Sequence, residues 1–196
     1  MSEYVIIIDN GHGKDTSGRR SPDDSLLEYK YCREIASLIY NKLKTLGYNP
    51  YLLVPEEEDI ALNVRVKRAN NIYKENNKKA ILVSIHCNAA ASDGEWHTAS
   101  GWQAIVSPNA SDNSKKLATY LKEEADAKEL NVRLQYSDVA YWVQSFAICR
   151  DTYCPAVLTE NLFMDNKEDV EFLLSDEGKE TIVDLHVNGI IKYLGE

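Results

Sequence analysis

Two histidines and two glutamates stand where they could do chemistry together. His12 lies in Asp9-Asn10-Gly11-His12-Gly13, and His86 in Ser84-Ile85-His86-Cys87-Asn88-Ala89. Each follows an apolar run that reads as a buried strand, over residues 5–9 and 80–85. In α/β proteins, sites form at the carboxyl ends of parallel strands. Two imidazoles delivered there by separate strands look like a metal site, with Glu28 available as a third ligand. Two histidines and one glutamate are a ligand set for catalytic zinc, which leaves a fourth position for water. Zinc lowers the pKa of that water toward about 7 and polarises a carbonyl. Glu160, set in Ala156-Val157-Leu158-Thr159-Glu160-Asn161-Leu162-Phe163, can take the water proton and pass it to a leaving amine. The chemistry that these four residues could perform is amide hydrolysis.

Each residue also has an ordinary role to weigh. His12 between two glycines could be a turn histidine bonded to backbone, although Gly11 and Gly13 also allow a sharp turn and a close approach. Ser25-Leu26-Leu27-Glu28 matches a capping box, in which Glu28 would bond back to the helix N-terminus. Against that, Glu28, Cys32, Ile35 and Ile39 share one inward helical face, where a carboxylate needs a partner or a metal. His86 alone could be a satisfied histidine at the rim of the core. Glu160 could be buried in a salt bridge to Arg65 or Arg68, but an acid in so apolar a strand points to function. Cys87 should face away from His86, because neighbours in an extended segment point to opposite faces. His97, in a loop, and His186, mid-way along the last helix, are weaker ligand candidates.

The elements that must position these groups alternate along the chain. Strands are expected over residues 5–9, 48–54, 80–85, 102–107 and 156–163. Helices are expected over 26–46, 61–76, 111–130, 167–174 and 176–194, from apolar residues recurring near the 3.6 period. Repeated strand–helix–strand units imply an α/β fold: a mainly parallel sheet with helices on both faces. There is no repeat, low-complexity tract or linker, so residues 1–196 read as a single catalytic domain. Three irregular stretches remain, over 11–25, 89–101 and 131–152. The last holds Tyr136, Tyr141, Trp142 and Phe146, which could bind a sugar or peptide face or form a small satellite core.

Composition narrows the class. The net charge of −9 and pI near 5.0 argue against nucleic acid as a partner. No segment approaches the roughly 18 apolar residues of a membrane span. The sequence enters its first strand straight from Met1-Ser2-Glu3, with no secretory signal to be seen. The four cysteines form no CxxC pair, so reduced thiols are expected.

Taken together, Ile8-Asp9-Asn10-Gly11-His12-Gly13 with Asp15, Glu28 opening the first helix, Ser84–Ala89 around His86, and Pro155 to Asn166 around Glu160 resemble the zinc-dependent N-acetylmuramoyl-L-alanine amidase family, in its third structural type. Leu62-Asn63-Val64-Arg65 with Ala69-Asn70 is a softer match. The resemblance implies that His12, Glu28 and His86 hold zinc and that Glu160 is the catalytic glutamate. It implies a mostly parallel, twisted sheet of about six strands flanked by helices on both faces, and a peptidoglycan substrate, cut between N-acetylmuramic acid and the L-alanine of the stem peptide. Asn10 stands where the family usually has proline. No autoinhibitory helix is legible between His86 and Glu160, so an open site is expected. A protein made in the cytoplasm without a signal would need a separate pore or export system to reach the wall, as a phage lysin does. The alternatives are a non-catalytic peptidoglycan-binding module of the same fold, and a zinc peptidase or deacetylase acting on another acylated substrate.

Overall fold

An unbroken run of valine and isoleucines makes Val5–Asn10 a strand buried along its whole length, β1. The structure, a computed structural model, describes residues 3–195. Helix α1 (Glu28–Thr45) follows, then β2 (Asn49–Leu52), α2 (Leu62–Glu75), β3 (Ala80–Asn88) and β4 (Gln103–Val106). Helix α3 (Asp112–Ala127), β5 (Trp142–Val143), α4 (Ala147–Arg150), β6 (Ala156–Phe163), α5 (Lys167–Leu174) and α6 (Asp176–Leu194) complete the order. They form one sheet, β2-β1-β3-β6-β4-β5. The first four of these run parallel; β4 lies antiparallel to β6, and β5 follows β4. The result is the single α/β domain expected, with a mostly parallel sheet.

Alternation along β1 sends side chains to two cores. Ile6 and Ile8 pack with Tyr31, Ile35 and Leu43 of α1, Leu117 and Leu121 of α3, and Ile182, Leu185 and Ile190 of α6. Val5 and Ile7 face Ala69 and Ile72 of α2 and Ile148 of α4. A one-residue register slip would exchange the two sets, so burial on both faces fixes the pairing Val5↔Ala80 through Asn10↔Ile85. That register sets the ends of β1 and β3 side by side.

Strand β3 runs three residues past its expected end, carrying His86 inside the strand. Helix α1 starts at Glu28 rather than residue 26, because Ser21–Leu27 folds back in a tight turn with Leu26 N–H donating to Ser21 Oγ at 2.9 Å. The irregular stretch 131–152 contains two short elements, β5 and α4, which its composition did not announce.

His186 lies fully buried in α6, its Nδ1 donating to the Ile182 carbonyl at 2.7 Å and its Nε2 accepting from Thr159 Oγ1 at 2.9 Å. Burial pushes its pKa down from 6.5 to about 4. A neutral buried histidine that charges readily only when unfolded costs stability on acidification. The loss begins as pH falls below 6.5 and is complete near 4. It should reach on the order of 3 kcal/mol. Melting temperatures followed from pH 7 to pH 4 should fall more steeply in the wild type than in His186→Gln; parallel curves would contradict this account.

Candidate metal centre

Strand β1, helix α1 and strand β3 bring His12, Glu28 and His86 together. Glu28 Oε2 lies 3.4 Å from His12 Nε2, and Oε1 lies 3.2 Å from His86 Nδ1. The two imidazoles meet edge to face, with centroids 5.1 Å apart. One ligand atom from each residue lies within 4.8 Å of the others. Bonds of about 2.0–2.2 Å in tetrahedral geometry space neighbouring ligand atoms by about 3.4 Å. Glu28 Oε2 is buried and makes no hydrogen bond. A buried carboxylate whose Oε2 has no donor, and whose two oxygens each face one imidazole nitrogen near ligand spacing, fits a cation held among the three.

The capping box does not form. Leu27 is the N-cap of α1 and Ser25 Oγ donates to Asp23, leaving the Glu28 carboxylate free to turn inward. There it accepts the Cys87 N–H at 3.1 Å. Burial works against its charge, but His86 and His12 outweigh that and hold its pKa below the usual carboxylate range. Burial pushes His12 down to about 4, keeping the imidazole neutral, as a ligand must be.

The glycines flanking His12 serve proximity more than bending. It is His12 that adopts the left-handed conformation, with φ +59°. A methyl group added to Gly11 would stand 2.5 Å from the His86 ring, and one added to Gly13 would stand 2.0 Å from the Asp59 nitrogen. The strained loop is fastened from behind by Arg65, itself buried. Its guanidinium donates to the carbonyls of Asn10 and His12 and pairs with Asp9 and Asp59, both at 3.0 Å. Asp9 in turn accepts from Ser84 Oγ at 2.5 Å. On the other strand, Asn161 Nδ2 donates to the His86 carbonyl at 2.9 Å while its Oδ1 accepts from Trp102 Nε1.

Glu160 is the register partner of His86 on the neighbouring strand. Just beyond, β6 takes three residues to the two of β3, a bulge at which Leu162 sits at φ +62°. Glu160 has no salt bridge to the candidates raised by its burial: Arg65 serves Asp9, and Arg68 serves Glu56. Its Oε2 is buried without a partner. Burial raises its pKa to about 7, with Glu28 adding to the rise while His86 and Arg19 oppose it. A carboxylate so poised can accept and return a proton near neutral pH.

These groups open into a cleft of about 800 Å³, lined further by Arg19, Gln103, Arg133, Trp142, Gln144 and Phe146. His97 stands apart, paired with Asp93 at 3.0 Å, and His186 packs within the core. Cys87 is buried among apolar side chains with Cys32. The Asp9–Arg65 ion pair was missed in the sequence, although an aspartate closing an isoleucine run was its signal.

The family model for N-acetylmuramoyl-L-alanine amidase matches residues 6–192. Among curated proteins, the chain is 27% identical over 189 residues to N-acetylmuramoyl-L-alanine amidase CwlM of Bacillus licheniformis, covering 95% of this chain and 67% of CwlM. It is 26% identical over 195 residues to the endolysin of Bacillus phage SPP1, covering 97% of this chain and 66% of the endolysin. The chain thus spans about two thirds of the length of these curated relatives. The crystal structure of N-acetylmuramoyl-L-alanine amidase from Clostridium difficile 630 superposes with a TM-score of 0.85 at 25% identity, covering 100% of this chain and 99% of that one.

Crowding of the His86 ring gives a test that leaves every candidate ligand in place. Gly11→Ala should weaken binding of a divalent cation at this group about 10–100-fold, the range for disturbed support of a ligand, and His86→Ala should abolish stoichiometric binding. Competition titration with a chromogenic chelator reads both, and undiminished affinity in His86→Ala would remove that residue from the ligand set.

Proposed function

The chain belongs to the N-acetylmuramoyl-L-alanine amidase family, and on that premise we propose that it hydrolyses the amide between N-acetylmuramic acid and L-alanine in peptidoglycan, with zinc as its metal, acting at the cell wall. Residues 1–196 are then a catalytic amidase domain. The observation that carries this reading is the pairing of a His12–Glu28–His86 group at ligand spacing with a partnerless Glu160 carboxylate beside it, both open to one cleft. Among the described residues no helix is long and apolar enough to cross a membrane.

His12, Glu28 and His86 would hold the zinc ion. When bound, zinc supplies Lewis-acid polarisation of the scissile carbonyl and makes water more acidic. Glu160 accepts one proton from the attacking water as the carbon–oxygen bond forms. It returns that proton to the alanine nitrogen as the carbon–nitrogen bond breaks, so one carboxylate serves as base and then acid. Its raised pKa suits both roles better than an ordinary exposed glutamate would. Arg65 and Asn161 position the two histidines through the histidines' backbone carbonyls.

A defined muramoyl-peptide incubated with the zinc-loaded protein should release a peptide with N-terminal L-alanine, identified by mass spectrometry. Chelation should stop the release and added zinc restore it. Intact substrate in the presence of bound zinc would favour a binding module or a different amide. Glu160→Gln should retain zinc but lose about 10²–10⁴-fold in kcat; a variant with wild-type turnover would overturn the role given to Glu160.

A further inference from the structure

Two arginines in the cleft take no part in the chemistry above. Five of the seven arginines are engaged by the protein itself. Arg20 meets Asp24, Arg65 meets Asp9 and Asp59, Arg68 meets Glu56, Arg150 meets Asp151, and Arg33 donates to the carbonyls of Tyr29 and Glu56. The two that remain, Arg19 and Arg133, both line the cleft. Arg19 is exposed on the 11–25 loop. Arg133 is half-buried and held. Its guanidinium carbon lies 4.8 Å from the centroid of the Phe163 ring and 5.7 Å from that of Trp142. Its aliphatic stem packs over Gly101, where an added methyl would come within 2.8 Å of Cγ. Its backbone is pinned on both sides, the N–H donating to the Trp102 carbonyl at 2.8 Å and the carbonyl accepting from Trp142 Nε1 at 2.9 Å. Among the described residues, no carboxylate pairs with the guanidinium. The aromatic faces orient the cation and satisfy none of its five donors. In a chain of net charge −9, a fixed guanidinium without an acid, on a cleft wall, is built to receive an anion.

The sheet gives the direction in which that anion lies. Glu160 on β6 is the register partner of Gln103 on β4, and β4 pairs with β5, which carries Trp142. Gln103 is buried, and its Oε1 has no partner, an acceptor left open beside the reacting centre. Strands stand about 4.8 Å apart, so the wall from Glu160 to Trp142 spans on the order of 10 Å. That is the length of about three extended residues. In a muramoyl-peptide, the acid of the lactyl group is consumed in the scissile amide, so every carboxylate lies on the peptide side. Resting on the amidase reading above, we propose that Arg133 is a specificity-determining residue that binds a free carboxylate of the stem peptide. The peptide runs from Glu160 past Gln103 toward β5, and the enzyme prefers stems whose carboxylates are not amidated.

The test compares three substrates: muramoyl-L-alanyl-γ-D-glutamyl-L-lysine, the same compound with the glutamyl α-carboxylate amidated, and the same compound with the lysine carboxylate amidated. The wild type should favour the fully free acid over one of the amides by about 10–100-fold in kcat/KM, through KM, as loss of a charge-assisted contact implies. The disfavoured amide identifies the carboxylate that is read. Arg133→Gln should bring that ratio close to one, and Arg133→Lys should recover part of it. Melting temperatures identify any variant that fails to fold. Equal rates on all three substrates in the wild type, an unchanged ratio in Arg133→Gln, or a ratio that collapses in Arg19→Gln instead would overturn the proposal. If the wild type cleaves none of the three, the amidase reading fails by itself. Calorimetric titration with the same compounds then decides the role of Arg133: tighter binding of the free acid that Arg133→Gln removes supports it, and equal binding overturns it.

Discussion

The burial of one carboxylate organises this molecule. Glu28 is 1% exposed, deep between a helix and the sheet. A charge in such a place is tolerated only with close compensation. It accepts the Cys87 N–H, lies 3.2 and 3.4 Å from two imidazole nitrogens, and sits at the positive end of α1, which it opens. These neighbours come from three separate parts of the chain. β1 must deliver His12, β3 must deliver His86 and Cys87, and α1 must lie on the sheet with Cys32, Ile35 and Ile39 inward. The apolar packing of that helix face and the electrostatic needs of its first residue have the same geometric solution.

Behind the His12–Glu28–His86 group stands a second tier of polar groups that fixes backbone rather than side chains. Arg65 binds the carbonyls around His12, and Asn161 binds that of His86. Both are themselves held, Arg65 by Asp9 and Asp59, Asn161 by Trp102. Networks of this kind are strong when each member is satisfied. Such support maintains His12 in a left-handed conformation that a histidine rarely adopts. The unsatisfied atoms nearby, Glu28 Oε2, Glu160 Oε2 and Gln103 Oε1, are on the cleft residues instead. Those three side chains line the cleft, where the proposed metal and substrate would meet.

Much of this could be read in the sequence because long amphipathic or apolar segments carry their own signal. The spans of β6, α5 and α6 match their expected limits. His12, Glu28 and His86 meet as the strand-end argument required. The signal failed where tertiary context decides. Ser25-Leu26-Leu27-Glu28 satisfies the spacing of a capping box, yet the pull of two imidazoles turns the carboxylate inward. Strand β5 has two residues and α4 has four, too few for any periodicity to show. Arg65 was legible as a cation in search of an acid, but its partners, Asp9 and Asp59, are distant in sequence from each other and could be matched only in three dimensions. Arg133 carried no local signal, because its rings come from Phe163 and Trp142 on two other segments.

The two outer strands of the sheet have a consequence beyond the site. One border is β2, four residues long and carrying Pro50, which has no N–H to offer a neighbour. The other is β5, only two residues long. Neither presents a run of backbone donors and acceptors on which the border strand of another molecule could propagate a ladder. With nine units of net negative charge adding repulsion between copies, both borders of the sheet are terminated against edge-to-edge polymerisation.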